Sequence, residues 1–197
     1  MRLAPALLLA LAVPATAQTP GSPDPARVAA GTYKVDPHHT QVTWKVDHLG
    51  FSLLQGQFGA SGGELTLDPA RPAATRMTVT FDVRELSTTS GAFTTHLKSA
   101  DFFDVAKHPE ARFVSRSVRV SGTNATVVGD LTIKGITKPV TLEATFVGAG
   151  PNPRSKKLNF GFRATGAIKR SDFGLGMAAP AVSDRVDLEI NVAFEQA

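Results

Sequence analysis

Apolar and polar residues alternate with a period of two along most of this chain from Thr40 onward, the signature of half-buried strands. Met77, Val79, Phe81 and Val83 interleave with Thr78, Thr80, Asp82 and Arg84, so an extended segment here is apolar on one face and polar on the other. The pattern recurs in Val42, Trp44 and Val46, in Val127, Leu131 and Ile133, and in Val140, Leu142, Ala144 and Phe146. It returns in Leu158, Phe160, Phe162 and Ile168, and finally in Val186, Leu188, Ile190, Val192 and Phe194. Turn-forming clusters separate the runs: Asp68-Pro69, Ser121-Gly122-Thr123-Asn124, and the stretch from Gly148 to Pro153. Counting runs gives about eight to ten strands.

A large one-sided sheet must hide both its apolar face and its edges, and closing the sheet does both. The expected architecture is all-β, an antiparallel barrel of about eight strands, wide enough to be filled by side chains or to hold one small ligand. One segment breaks the rhythm. Between Ser90 and Lys107, Phe93 and Leu97 predict a short helix after Thr88-Thr89-Ser90, and Phe102-Phe103 an aromatic turn that Pro109 ends.

The N-terminal residues read differently. Arg2, the apolar run from Leu3 to Val13 and the small residues Ala15-Thr16-Ala17 form a secretory-signal pattern, with cleavage expected after Ala17 and a periplasmic or secreted product. Pro5 and Pro14 interrupt the run short of the roughly 20 apolar residues that a membrane span needs. Gln18 to Ala30, rich in Pro, Gly, Ser and Ala, is expected to be a flexible lead-in, which leaves residues 31–197 as one domain.

Composition excludes several function classes. The chain has no cysteine, which removes thiolate nucleophiles and Cys-ligated metal centres. Lys and Arg exceed Asp and Glu by only 21 to 17, with basic pairs only at Lys156-Lys157 and Lys169-Arg170. Charges scattered this way solvate a surface, whereas a nucleic-acid binder needs a dense basic stripe. The five histidines, His38, His39, His48, His96 and His108, show no metal-ligand spacing, and no nucleotide loop or Gly-x-Ser-x-Gly elbow is present. Thr94, Thr95 and His96 are too close in sequence to face one another on a helix. No catalytic residue, metal or cofactor is expected.

Specific words in the chain narrow the reading further. Tyr33-Lys34-Val35-Asp36-Pro37-His38-His39-Thr40 opens the domain, followed by Val46-Asp47-His48-Leu49-Gly50-Phe51-Ser52 and Gly56-Gln57-Phe58-Gly59. Then come His96-Leu97-Lys98-Ser99-Ala100-Asp101-Phe102-Phe103-Asp104-Val105 with His108-Pro109, and the run from Gly129 to Leu142. Ile168-Lys169-Arg170-Ser171-Asp172-Phe173-Gly174-Leu175 closes the series. In this order the segments resemble the YceI-like polyisoprenoid-binding family across nearly the whole domain.

The resemblance implies an exported bacterial protein with a lipocalin-like, extended antiparallel barrel. Its lumen would hold a polyisoprenoid or other long-chain lipid, such as a polyprenyl phosphate or quinone, without catalysis, cofactor or metal. Members often carry an Arg-Asp pair shortly before the His-Leu, where this chain has Phe93 and Thr94; the resemblance then implies a less charged ligand head. Transient contact with a membrane surface or membrane protein, and a homodimer, stay open. So do two other roles: an accessory module presenting a quinone-like ligand to a membrane redox partner, and a stress-response barrel with no specific ligand.

Strand phase selects the residues that face inward if the lumen is hollow. These are Trp44, Val46, Phe58, Met77, Val79 and Phe81 from the first half, and Leu131, Leu142, Phe146, Phe160 and Phe162 from the second. Phe93, His96, Leu97, Phe102 and Phe103, in the segment that breaks the rhythm, are expected to flank a ligand entrance or to plug that end.

Overall fold

The computed structural model describes residues 19–197, so the signal sequence expected at 1–17 lies outside the described residues. The alternation around Met77 is one strand, β4 (Arg76–Asp82), and the other runs form β2 (Gln41–His48), β3 (Ser52–Leu67), β5 (Glu110–Ser121) and β6 (Asn124–Ile133). β7 (Ile136–Pro151), β8 (Leu158–Lys169) and β9 (Arg185–Gln196) follow, and a short β1 (Gly31–Val35) precedes them. Every pairing is antiparallel, in the order β3-β2-β9-β8-β7-β6-β5-β4 with β4 returning to β3, so the sheet closes into an eight-stave barrel.

β1 and β2 together make one stave. Both lie between β3 and β9, β1 opposite Glu64–Leu67 and β2 opposite Ser52–Gly59. Pro37 has no N–H to give the ladder, and the chain steps aside from Asp36 to Thr40. The ladder is mended by Asp36 N–H donating to the Ala193 carbonyl (2.9 Å) and by the Thr40 hydroxyl accepting from Ala193 N–H (3.1 Å). Burial works to raise the Asp36 carboxyl pKa, but hydrogen bonds from the His39 ring and the His38 backbone prevail and hold it below the usual carboxylate range.

The barrel has two unlike ends. The helix end carries the β2–β3 and β6–β7 turns, the helix α1 (Gly91–Lys98) and the long β8–β9 connection. The tail end carries the β3–β4, β5–β6 and β7–β8 connections and both termini of the described chain. At the tail end aromatic rings pack edge to face, Tyr33 on Phe160 (4.7 Å between centroids) and Phe146 on Phe162 (5.5 Å).

The stretch Gly148–Pro153, expected to be a turn, is mostly strand: β7 continues to Pro151. The partner that holds it there is the segment expected to be a flexible lead-in. β6 ends its pairing at Asn124–Thr145, which leaves the far end of β7 with an open edge. Ser22 fills that edge by exchanging both backbone hydrogen bonds with Ala149, each 2.9 Å. The chain then makes a 3-10 turn, Pro25–Arg27, capped by Asp24, and packs Val28 on the tail-end core before entering β1. The segment is thus a strap crossing the barrel's end from β7 to β1.

Glycine at 150 permits this close approach, because a Cβ there would stand 1.9 Å from the Pro20 carbonyl oxygen. Gly150→Val, although favourable for a strand, should displace the strap. Limited proteolysis should then cut between residues 19 and 30 at least about tenfold faster, with a loss of about 2 kcal/mol, or roughly 4–8 °C. An unchanged cleavage rate would show that the strap does not depend on this contact.

Candidate ligand-binding cavity

The apolar faces of the staves do not meet in the middle. They enclose a cavity of about 690 Å³, bounded at the helix end by α1 and the β8–β9 connection and at the tail end by the strap residues Pro25 and Val28. Ligand pockets span about 300–1,000 Å³, and this one lies above the middle of that range. The eight-stave frame explains the space: a barrel of this size is just wide enough for a small ligand when its side chains stop short of filling it.

The structure brings to the wall Trp44, Val46 and Phe58 from β2 and β3, Met77, Val79 and Phe81 from β4, and Leu131, Leu142, Phe146 and Phe162 from β6 to β8. Phe160 is the exception. It is 3 % exposed inside the tail-end cluster, wedged between Tyr33 and Phe194, and stands off the cavity wall. The phase of β8 turns its ring inward; the aromatic packing that closes this end then covers it. Phe113 on β5, Ile168 on β8 and Ile190 and Val192 on β9 carry the same alternation and line the same wall, although they are not among the inward-facing residues expected from the sequence.

The helix end is built from local sequence. Ser90 caps α1, accepting a hydrogen bond from Phe93 N–H (3.3 Å), and the hydroxyls of Thr88 and Thr94 bond across the cap (2.9 Å). This fixes the helix with Leu97 buried and Phe93 partly buried, packed with Phe102 and Phe103 against Trp44, Val46 and Leu86. Phe103 meets Phe58 edge to face at 5.5 Å, and His96, exposed at the mouth, meets Phe102 at 4.9 Å. All five aromatic-segment residues, Phe93, His96, Leu97, Phe102 and Phe103, reach the cavity.

Trp44 lies across its β3 partner Gly56, where a Cβ would stand 2.3 Å from the indole ring. Its indole N–H is buried and has no hydrogen-bond partner among the described residues. Among the described residues charge is nearly absent from the wall, with only Asp68 and Arg170. Asp68 sits at the tail end and is held by Arg71 (2.9 Å) and the Ala70 N–H (3.0 Å).

Arg170, expected to be a surface charge beside Lys169, is instead 7 % exposed. Its guanidinium donates to the backbone carbonyls of Ser183 (2.8 Å), Met177 (2.7 Å), Val182 (2.7 Å) and Leu175, so the β8–β9 connection is wound around it. Burial pushes its pKa down, and the Asp184 carboxylate opposes that shift. The only sequence signal for this role is its place in the Ile168–Leu175 motif; alternation is silent about a loop.

Beside this connection the β2–β3 hairpin presents bare apolar tips, with Phe51 86 % and Leu53 67 % exposed. No three His, Asp or Glu residues converge in a metal-holding group among the described residues. What the cavity offers is a long apolar wall, suited to burying hydrocarbon by contacts that need no particular direction.

Comparison with known proteins agrees with this architecture. The YceI-like domain family matches residues 33–194. Protein YceI of Escherichia coli O17:K52:H18 is 41 % identical over 165 residues, covering 83 % of this chain and 86 % of that protein. Among solved structures, BcnA of Burkholderia cenocepacia superposes with a TM-score of 0.69 at 26 % identity, covering 81 % of this chain and 98 % of BcnA. A polyisoprenoid-binding domain from Saccharophagus degradans shares the fold, with a TM-score of 0.63 at 12 % identity over 84 % of this chain and 98 % of that domain. With a family match that spans the barrel from β1 to β9 and a close curated relative over the same length, this chain belongs to the YceI-like family.

Proposed function

We propose that this protein is an exported lipid carrier that sequesters one long isoprenoid-type chain in its barrel without acting on it chemically. The observation that carries the proposal is the cavity of about 690 Å³ with an almost wholly apolar wall, running between α1 and the strap. Each buried methylene contributes about 0.8 kcal/mol, while association costs roughly 4–15 kcal/mol. A short hydrocarbon would scarcely offset that cost; a chain of many isoprene units does. The secretory-signal pattern supports export, which is tested by recovering from the periplasm or medium a mature chain that begins at Gln18.

The binding test is extraction. Purified protein mixed with vesicles containing a labelled polyprenyl lipid should carry label into the soluble fraction at close to one lipid per chain; label that stays with the vesicles would refute the proposal. The bare tips at Phe51 and Leu53 are the surface such an exchange would use for brief contact with lipid.

Within this proposal the Ser90–Pro109 segment serves as the entrance flank. Phe102 and Phe103 are only partly buried and rest on the wall residues they would have to leave. Replacing both by Ala should speed lipid release by about tenfold or more while the melting temperature falls only a few degrees, since partly exposed rings lose less than core ones. A drop of more than roughly 10 °C with unchanged release would identify the pair as a plug.

A further inference from the structure

One side of the barrel's helix end carries two features that the cavity does not explain. The first is apolar. Phe51 and Leu53 stand bare at the β2–β3 hairpin, with Leu49 exposed beside them and Met177 exposed on the β8–β9 connection. Local bonds hold the hairpin in this shape. Leu49 keeps a left-handed φ of 61°, Gly50 N–H donates to the Asp47 carboxylate (2.7 Å) and Phe51 N–H to the His48 carbonyl (3.0 Å). Leu49 N–H donates in turn to the Ala181 carbonyl (2.8 Å), which braces the hairpin on the β8–β9 connection. Apolar side chains gathered on one braced, exposed edge mark an interaction surface.

The second feature is basic. Where the β8–β9 connection leaves and rejoins the barrel, an outer groove of about 470 Å³ is lined by Lys138, Lys169 and Arg185, with the buried ring of Phe173. Lys169 and Arg185 are register partners on β8 and β9, and like charges directly opposite each other destabilise a sheet. Asp187 engages Arg185 (2.8 Å), but Lys138 and Lys169 enter no ion pair among the described residues. Of the carboxylates nearby, Asp184 is taken up by the N–H and hydroxyl of Ser171 (2.8 Å each), which leaves Asp172 in the groove.

Bare apolar tips beside uncompensated lysines fit a bilayer that bears anionic phosphate headgroups. The tips enter the boundary between headgroups and acyl chains, and the lysines meet the phosphates. A second copy of the chain fits less well, because two-fold pairing of this face would bring its own lysine cluster into the same interface. We infer that this side of the helix end is a docking face for anionic phospholipid membranes, with Phe51, Leu53 and Met177 in the interface and Lys138 and Lys169 on lipid phosphates. Docked in this way, the barrel holds α1 toward the bilayer and the strap toward water.

The inference supplies the membrane contact on which the carrier proposal rests, and it is tested without cargo. Two sets of vesicles free of isoprenoid lipid serve as probes, phosphatidylcholine alone and phosphatidylcholine mixed with phosphatidylglycerol. In flotation the protein should partition at least about tenfold more strongly onto the anionic set, and about 1 M salt should erase the difference. Phe51→Ser with Leu53→Ser should weaken binding to the anionic set by about tenfold or more. Lys138→Gln with Lys169→Gln should do the same there and leave the neutral set unchanged. Lys156→Gln with Lys157→Gln removes equal charge at the tail end, beyond the screening distance from a bilayer docked on the helix end, and should change binding less than about twofold. All six residues are exposed, so each variant keeps the fold. No vesicle binding by the parent protein, equal binding to both sets, or an equal loss from the tail-end pair would each overturn the inference. So would sedimentation showing dimers that the Phe51, Leu53 change dissolves, which would assign the tips to a second copy. A protein that extracts polyprenyl lipid yet fails these tests refutes only the docking face; one that docks as expected but extracts nothing refutes only the carrier.

Discussion

Phe81→Asp should abolish lipid uptake and cost the barrel about 4 kcal/mol or more, whereas Thr80→Asp, one residue away, should leave both within about 0.5 kcal/mol of the parent. Phe81 faces the cavity and packs against the tail-end core, so a carboxylate there is placed in an apolar wall. Thr80 points to the outer face, where its partner on β5 is Arg112, and an Asp opposite an Arg across two strands is mildly favourable. For a domain of this length the Phe81 change corresponds to roughly 8–16 °C of melting temperature. Similar damage from the two substitutions would mean that the inward and outward faces of β4 are not as distinct as the barrel requires.

Arg170→Leu carries the second large effect, about 3–5 kcal/mol, because it strands buried backbone carbonyls in the β8–β9 connection without donors. Arg170→Lys should recover little of this, since one ammonium cannot span acceptors that a planar guanidinium reaches together. The consequence extends past stability. The connection is tied to the β2–β3 hairpin by Leu49 N–H to the Ala181 carbonyl (2.8 Å) and by Ser183 N–H to the Asp47 carbonyl (2.9 Å). Hydrogen exchange should therefore quicken across 175–184 and at Leu49, and bound lipid should leave faster through the helix end. A loss below about 1 kcal/mol, or exchange unchanged in these amides, would show that the loop holds its shape without the guanidinium.

How far the sequence reaches is clear from these same residues. β4 and β9 are plain in their alternation because a closed barrel has only one inside, and nothing else competes for the phase of Met77, Phe81, Ile190 or Val192. Ser90 and the Phe93–Leu97 pair likewise announce α1, since capping and helical spacing are local properties. What escapes is what depends on distant chain. The glycines at 148 and 150 read as a turn, yet they thin the backbone so that residues 20–22 can lie beside it, a contact no window around either segment contains. Phe160 and Phe162 share one phase, and only the position of Tyr33 and Phe194 in space sets one in the packed end and the other on the cavity wall. Arg170 looks like any charged residue at a strand end because its acceptors are main-chain carbonyls, which every sequence possesses. The Trp44 indole N–H is of the same kind: the residue is visible in the alternation, but its burial without an acceptor among the described residues belongs to the assembled fold.

Under the carrier proposal the barrel is hollow because a long lipid occupies it, and native mass spectrometry of protein purified from its own cells without detergent is the measurement that decides. The expected spectrum shows the mature chain carrying a single adduct whose mass fits one long isoprenoid lipid, released intact when the protein is unfolded. A spectrum of bare protein that also refuses added polyprenyl lipid would contradict it.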